Sequence, residues 1–259
     1  MEFKNVNDIV IKASNCVVDI SRGDDEQCRF VSTKDKYFTV SDSGGTLSVK
    51  QKPSYIFYRI VVKRVEIKLI LPKSFNGKLK LRNKNGELYV KDLEFKELDL
   101  STNNGKFELC GVSCGEFSIK MKNGAVGIKN LSATQSVSLK CDNGRIKAES
   151  VIAPSLAMSS SNATLTALDV KSDKLDCRTS NGVIDASGID CGEVRLETSN
   201  GKISALMLGD RDEHRLSAET KHGTISVNGV PCKNVSDRDG AKKRVAVSTS
   251  NGDIDIKFM

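Results

Sequence analysis

Between residues 86 and 252 the chain writes one short pattern nine times: alternating apolar residues, an Asn-Gly or a variant of it, then alternating apolar residues again. With the glycine as marker, the pattern falls at Gly86, Gly105, Gly124, Gly144, Ala163, Gly182, Gly201, Gly223 and Gly252. The intervals are 19, 19, 20, 19, 19, 19, 22 and 29 residues. A period this constant belongs to an architecture in which each unit stacks on a neighbour, because stacking tolerates insertions only at corners.

The columns around the marker say what kind of unit repeats. Seven and five residues before it stand Leu79/Leu81, Leu98/Leu100, Phe117/Ile119, Val137/Leu139, Leu156/Met158, Leu175/Cys177, Val194/Leu196, Leu216/Ala218 and Val245/Val247. Two and four residues after it the alternation resumes, as in Leu88/Val90, Val126/Ile128 and Ile203/Ala205. Period-two alternation describes strands with one buried face, and helical spacing is absent from this region. Two strands joined by Asn-Gly also read as a hairpin, so an antiparallel meander competes. A meander gives no reason for one repeat length and one set of columns over nine units. The expected fold is therefore all-β: a single-stranded parallel β-helix, or β-solenoid, with rungs of about 19 residues. A leucine-rich repeat fits poorly, since its apolar spacing around Asn differs and it needs helical or 3-10 segments.

The corners of such a coil fall at Asn85-Gly86, Asn104-Gly105, Asn123-Gly124, Asn143-Gly144, Asn162, Asn181-Gly182, Asn200-Gly201 and Asn251-Gly252. Glycine supplies a positive φ without a Cβ clash, and Asn tolerates the left-handed region. Stacked Asn amides are expected to hydrogen-bond from rung to rung. Nine rungs at ~4.8 Å make a rod roughly 40 Å long.

The two ends depart from the period. Residues 1–52 read as an irregular β cap at the N-terminal side, continuous with regular rungs over 53–259. YRIVVKRVEIKLILP, residues 58–72, leads into those rungs, with Pro72 closing the strand. Insertions near 206–216 and 228–244 account for the two long intervals. Loops projecting from a solenoid carry function more often than its rungs. The first holds Asp210, Arg211, Asp212, Glu213 and His214; the second holds Lys233, Asp237, Arg238, Asp239, Lys242, Lys243 and Arg244. Both leave their corners at a similar point, so they are expected to be neighbours. Three readings stay open: a binding patch for an acidic glycan or a partner protein, a weak cation or acid/base site around His214, and plain solvated loops that protect the sheet edge.

Composition narrows the classes. Eight cysteines suggest a disulfide frame, but Cys141 and Cys177 occupy inward columns, and Cys114 and Cys191 share one column four rungs apart. That separation of about 19 Å exceeds what a disulfide spans. Reduced, structural cysteines are expected, and no metal or cofactor. A formal charge of +7 is dispersed along the chain among acidic residues, and the longest basic run is the short cluster at 242–244. No basic stripe with interleaved aromatics is visible, so nucleic acid is not an expected partner. The most apolar stretch, residues 55–72, carries Arg59, Lys63, Arg64, Glu66 and Lys68 and does not read as a transmembrane segment. MEFKNVNDIVIKASN lacks a basic start and an apolar run, so a cytoplasmic location is expected.

The opening SNCVVDI, the strand GGTLSVK, the passage VEIKLILPKSFNGKLKLRNKNGELYVKDL and the units TSNGVI, TSNGKI and TSNGDI together resemble the bacterial putative-adhesin family. This is a domain of unknown function related to the head-GIN adhesin-like domains, and the resemblance covers about residues 8–258. It implies a right-handed β-helix of a kind without established catalytic residues, many of whose members are associated with the cell envelope. The resulting expectation is a non-enzymatic binding or scaffold module whose partner is an unidentified protein or glycan. Two alternatives are a polysaccharide lyase or hydrolase, by fold analogy alone, and a self-assembling structural protein.

Overall fold

A computed structural model describes residues 1–24, 26–52, 65–237 and 241–259. The lead-in strand expected over 58–72 is described from Val65 to Leu71, ahead of Pro72; its earlier part lies outside the described residues, as do the candidates Arg238 and Asp239. Among the described residues the structure is built from strands, with short 3-10 turns at Asp35–Tyr37 and Arg211–Glu213 and no α-helix.

The strands coil as a parallel ribbon. Leu165 lies between Ile146 and Ile184, and Asn162 beside Asn143, in parallel register. Extended segments run through the corners with little break, as in Lys78–Ala133, Ser136–Ser159 and Asn162–Asn181. The antiparallel meander is thereby excluded for the body of the molecule. Inward columns stack into one continuous core in which Leu81, Leu100, Ile119, Leu165, Cys177 and Leu196 are fully buried. Each such side chain is covered from the rungs on both sides, which is why a slim rod can bury a sizeable core.

The Asn-Gly corner is held by three interlocking features. The glycines stack so closely that a Cβ on Gly105 would stand 1.7 Å from the carbonyl oxygen of Gly86, with φ at +150°. Outside them the Asn amides form a ladder in which each Nδ2 donates to the Oδ1 of the rung below. It runs Asn85 to Asn15, Asn104 to Asn85, Asn123 to Asn104 and Asn143 to Asn123. It continues from Asn162 to Asn143, Asn181 to Asn162, Asn200 to Asn181 and Asn251 to Asn200, all at 2.6–2.9 Å. Inside them a buried hydroxyl column donates to the corner carbonyl of the adjoining rung. Thr179 reaches Ala163, Thr198 reaches Gly182 and Thr249 reaches Gly201, while Asn83 does the same to Cys16 through Nδ2.

A second corner follows the Asn-Gly corner in each regular rung. Asp92, Gly111, Asn130, Ser150, Asp169 and Gly188 all adopt left-handed φ between 52° and 69°.

At both ends stacking order parts company with sequence order. Lys243–Asn251 pairs in parallel with Ile184–Asn200 on one side and His214–His222 on the other. Ile254–Phe258 likewise lies between Ile203–Met207 and Ile225–Val227. The rung that comes last in sequence therefore sits one place inside the rung before it. The glycine stack agrees: Gly223 rests on Gly252, and Gly252 on Gly201. The N-terminal side repeats the device. Asp8–Ala13 lies between Thr46–Gln51 and Lys78–Asn83, and Cys16–Arg22 between Val65–Leu71 and the ribbon at 86–91. Each outermost rung is then covered by antiparallel strands: Cys28–Ser32 and Phe38–Ser43 at one end, Val230–Cys232 and Val235–Ser236 at the other. These lids occupy the open edges that would otherwise template pairing with another chain.

Candidate functional site

The two insertions singled out in the sequence do meet. Arg211, on its 3-10 turn, donates from Nη2 to Asp237 Oδ2 at 2.6 Å and from Nη1 to the carbonyl of His214 at 2.7 Å. Asp237 also accepts from the Leu216 amide at 2.8 Å, and its own carbonyl accepts from Arg215 Nε. Burial opposes the charge on Asp237, yet the Leu216 amide and the Arg211 guanidinium outweigh it and hold the carboxyl below the ordinary range. His214 is 3% exposed; its ring packs 5.0 Å from Phe258 and its Nδ1 meets the Asp210 carbonyl oxygen at 2.9 Å. Lys243 reaches Asp190 at 3.0 Å and Glu213 at 3.9 Å.

Arg211, His214 and Asp237 thus spend their polar groups on one another and on backbone, and Lys243 spends its ammonium on Asp190 and Glu213. Asp212, Lys233, Lys242 and Arg244 remain exposed at the surface and do not join them. The cation reading loses its geometry here, because His214 is turned into the protein and away from Asp212. Among the described residues no group of three or more His, Cys, Asp or Glu side chains is arranged to hold a metal ion. What the insertions build is a clasp over the displaced rungs.

A different surface gathers the unspent charge. On the outward face of the strands that precede the Asn-Gly corner, a groove of about 530 Å³ lies over the first regular rungs. Ser101 and Asn103 form its short-chained floor; Arg82 and Lys84 wall it on one side, Lys120 and Lys122 on the other. Lys12 and Lys140 continue it along the rod, since Lys12 is in register with Arg82 and Lys120 with Lys140. Arg82 is engaged by Asp99 through two hydrogen bonds of 3.0 and 2.6 Å, which keep that carboxyl low. Lys140 stands 3.8 Å from Asp142. Lys12, Lys84, Lys120 and Lys122 are exposed, with no ion pair among the described residues. The expectation that basic residues are merely dispersed is corrected: they are scattered in sequence, and the coil's period assembles them. The available signal was the pair of outward columns four and two residues before each glycine.

All eight cysteines are free; Cys232 is exposed, Cys110 half-buried and the others buried. Among the described residues no helix is long and apolar enough to cross a membrane.

Parallel rungs, an amide-laddered corner and lids at both ends define a capped β-solenoid, a repeat protein whose surface is a set of fixed columns. The chain belongs to the Toastrack DUF4097 family, which matches it over residues 6–257. It is similar to a putative cell adhesion protein from Clostridium sporogenes ATCC 15579, at 14% identity and a TM-score of 0.35, over 99% of this chain and 94% of that one. It is also similar to a putative adhesin from Bacteroides fragilis NCTC 9343, at 10% identity and a TM-score of 0.41, over 100% and 95% of the two chains. No curated protein matches it in sequence.

Proposed function

We propose that the protein is a non-enzymatic binding and scaffold module, a stiff rod that presents fixed columns of side chains to a partner at the cell envelope. The observation that carries this reading is the continuous rung-to-rung register over residues 117–200 with its amide ladder. Outward side chains are thereby held at about 4.8 Å intervals along one axis, with little freedom to close around a substrate. Supporting it, Arg211, His214, Asp237 and Lys243 are held in the clasp by one another, by Asp190 and Glu213, and by backbone, and so are not free to act as acid or base.

Its test pairs a glycan and envelope-protein array with a reducing-end assay on the same polysaccharides. Binding without new reducing ends or unsaturated products is expected. Release of either product, abolished by substitution of a surface carboxylate, would replace this reading with the lyase or hydrolase one.

A further inference from the structure

We propose that the basic groove between the Arg82/Lys84 and Lys120/Lys122 rungs binds a linear acidic polysaccharide, with carboxylate or sulfate groups spaced along a hydroxyl-rich chain. The inference rests on the module reading and adds to it a site and a ligand class.

Charge distribution singles out this groove. Elsewhere on the rod several cations sit beside acids two residues away: Lys106 with Glu108, Lys147 with Glu149, Arg178 with Asp176 and Arg195 with Glu197. In the groove Lys140 keeps such a partner in Asp142 and Arg82 is held by Asp99, but the remaining cations have none. Lys84, Lys120, Lys122 and Lys12 face one surface without carboxylate partners among the described residues, on a frame that cannot let them drift apart. Like charges fixed at such spacing repel, and the local field attracts a polyanion that relieves the repulsion.

Shape and polar chemistry set the ligand class. The walls stand on rungs two spacings apart, roughly 10 Å, enough for one extended sugar chain over the low floor of Ser101 and Asn103. A hydroxyl and an amide on that floor suit sugar hydroxyls. At the corner that follows Asn103 and Lys122 in sequence, Asn104 and Asn123 each spend one amide hydrogen on the ladder, which leaves the second unspent. No aromatic side chain lines the groove, so nucleobases would find no stacking surface. A polyanion of sugars is favoured over one of nucleotides.

The experiment uses the full chain and fluorescein-labelled polygalacturonate and heparin oligosaccharides, with neutral dextran and oligo(dT) as comparators, read by anisotropy. At least one acidic glycan should bind at low salt, and raising sodium chloride from ~50 to ~300 mM should weaken it about tenfold or more. K84E/K122E should cost about tenfold, and K84Q/K122Q less, while K171E/K202E, with the same change in net charge, should cost under about twofold. Melting curves check that the variants fold. Equal losses in both charge-reversed variants would reduce the effect to net charge and overturn the site. Tighter oligo(dT) binding lost in K84E/K122E would overturn the ligand class. Binding of neutral glycan or protein that ignores the groove variants would overturn the groove and leave the module reading standing. No acidic-glycan binding at low salt overturns the proposal outright.

Discussion

Arg211 Nη2 and Asp237 Oδ2, twenty-six positions apart in the chain, meet at 2.6 Å and tie together the two insertions. The Arg211 guanidinium also lies 5.4 Å from the Phe258 ring, so the pair fastens the outer rung to the one tucked inside it. Asp237→Asn is expected to cost up to about 1 kcal/mol, the range of partly exposed pairs. The carboxyl is depressed in the folded state, so its contribution is present above the unfolded value of about 3.9 and lost as pH falls through the lower folded value. Protection of the Leu216 and Asp237 amides from hydrogen exchange should therefore fall in acid below about pH 4, and D237N should lack that limb. An identical pH profile in the variant would mean that other contacts hold the clasp.

Gly105 has no room for a methyl group. A Cβ there meets the Gly86 carbonyl oxygen at 1.7 Å, and φ of +150° disfavours any L side chain. G105A is expected to destabilise by about 3 kcal/mol or more, because neither rung can retreat without breaking its register. Chemical denaturation measures this, and a loss below about 0.5 kcal/mol would show that the corner can shift.

The amide ladder can be shortened or lengthened. Asn123 donates to Asn104 and accepts from Asn143, so N123A removes two bonds and should cost roughly 1–2 kcal/mol. His222 occupies the ladder column beside Asn251 but makes no ladder bond. His222→Asn should extend the ladder by one step and raise stability by several tenths of a kcal/mol to about 1 kcal/mol. Thermal melts of both variants decide it; a destabilised H222N would mean that the last step is strained.

Thiol reactivity should follow burial. Desolvation pushes Cys16 up to about 11 and Cys114 and Cys191 to about 12, and raises Cys177 as well. Since the thiolate is the reactive form, a thiol reagent at pH 8 should modify Cys232 rapidly and Cys110 more slowly. The buried thiols should wait for unfolding. Rapid native labelling of Cys177 would contradict the packed core.

The body of the fold was legible because its two signals are local. Alternation in Phe117/Ile119 or Val194/Leu196 marks the buried face, and Asn-Gly marks the corner. The second corner escaped because Asp92, Gly111, Asn130 and Ser150 share a tolerance for left-handed backbone rather than an identity. The insertions at 206–216 and 228–244 were visible as breaks in period; that Arg211 would pair with Asp237 across them was not, since pairing depends on how the loops fold back. Lys12 and Lys140 share a groove although far apart in sequence, a juxtaposition visible only when outward columns are read down the rod. Stacking order at the ends was the least legible. Val245 and Val247 carry the same apolar columns as every other rung, so they say that the segment is a rung without saying which slot it fills.

That slot has a mechanical consequence. A helix of rungs added strictly in turn would unravel from its tip, each turn peeling away from a single neighbour. Here a pull on Ile254–Phe258 loads two seams together, one against Ile203–Met207 and one against Ile225–Val227. Asp8–Ala13 is gripped in the same manner at the opposite end. A tether attached at either side would shear both seams before any turn came loose, much as a stitch doubled back at each end keeps a seam from running.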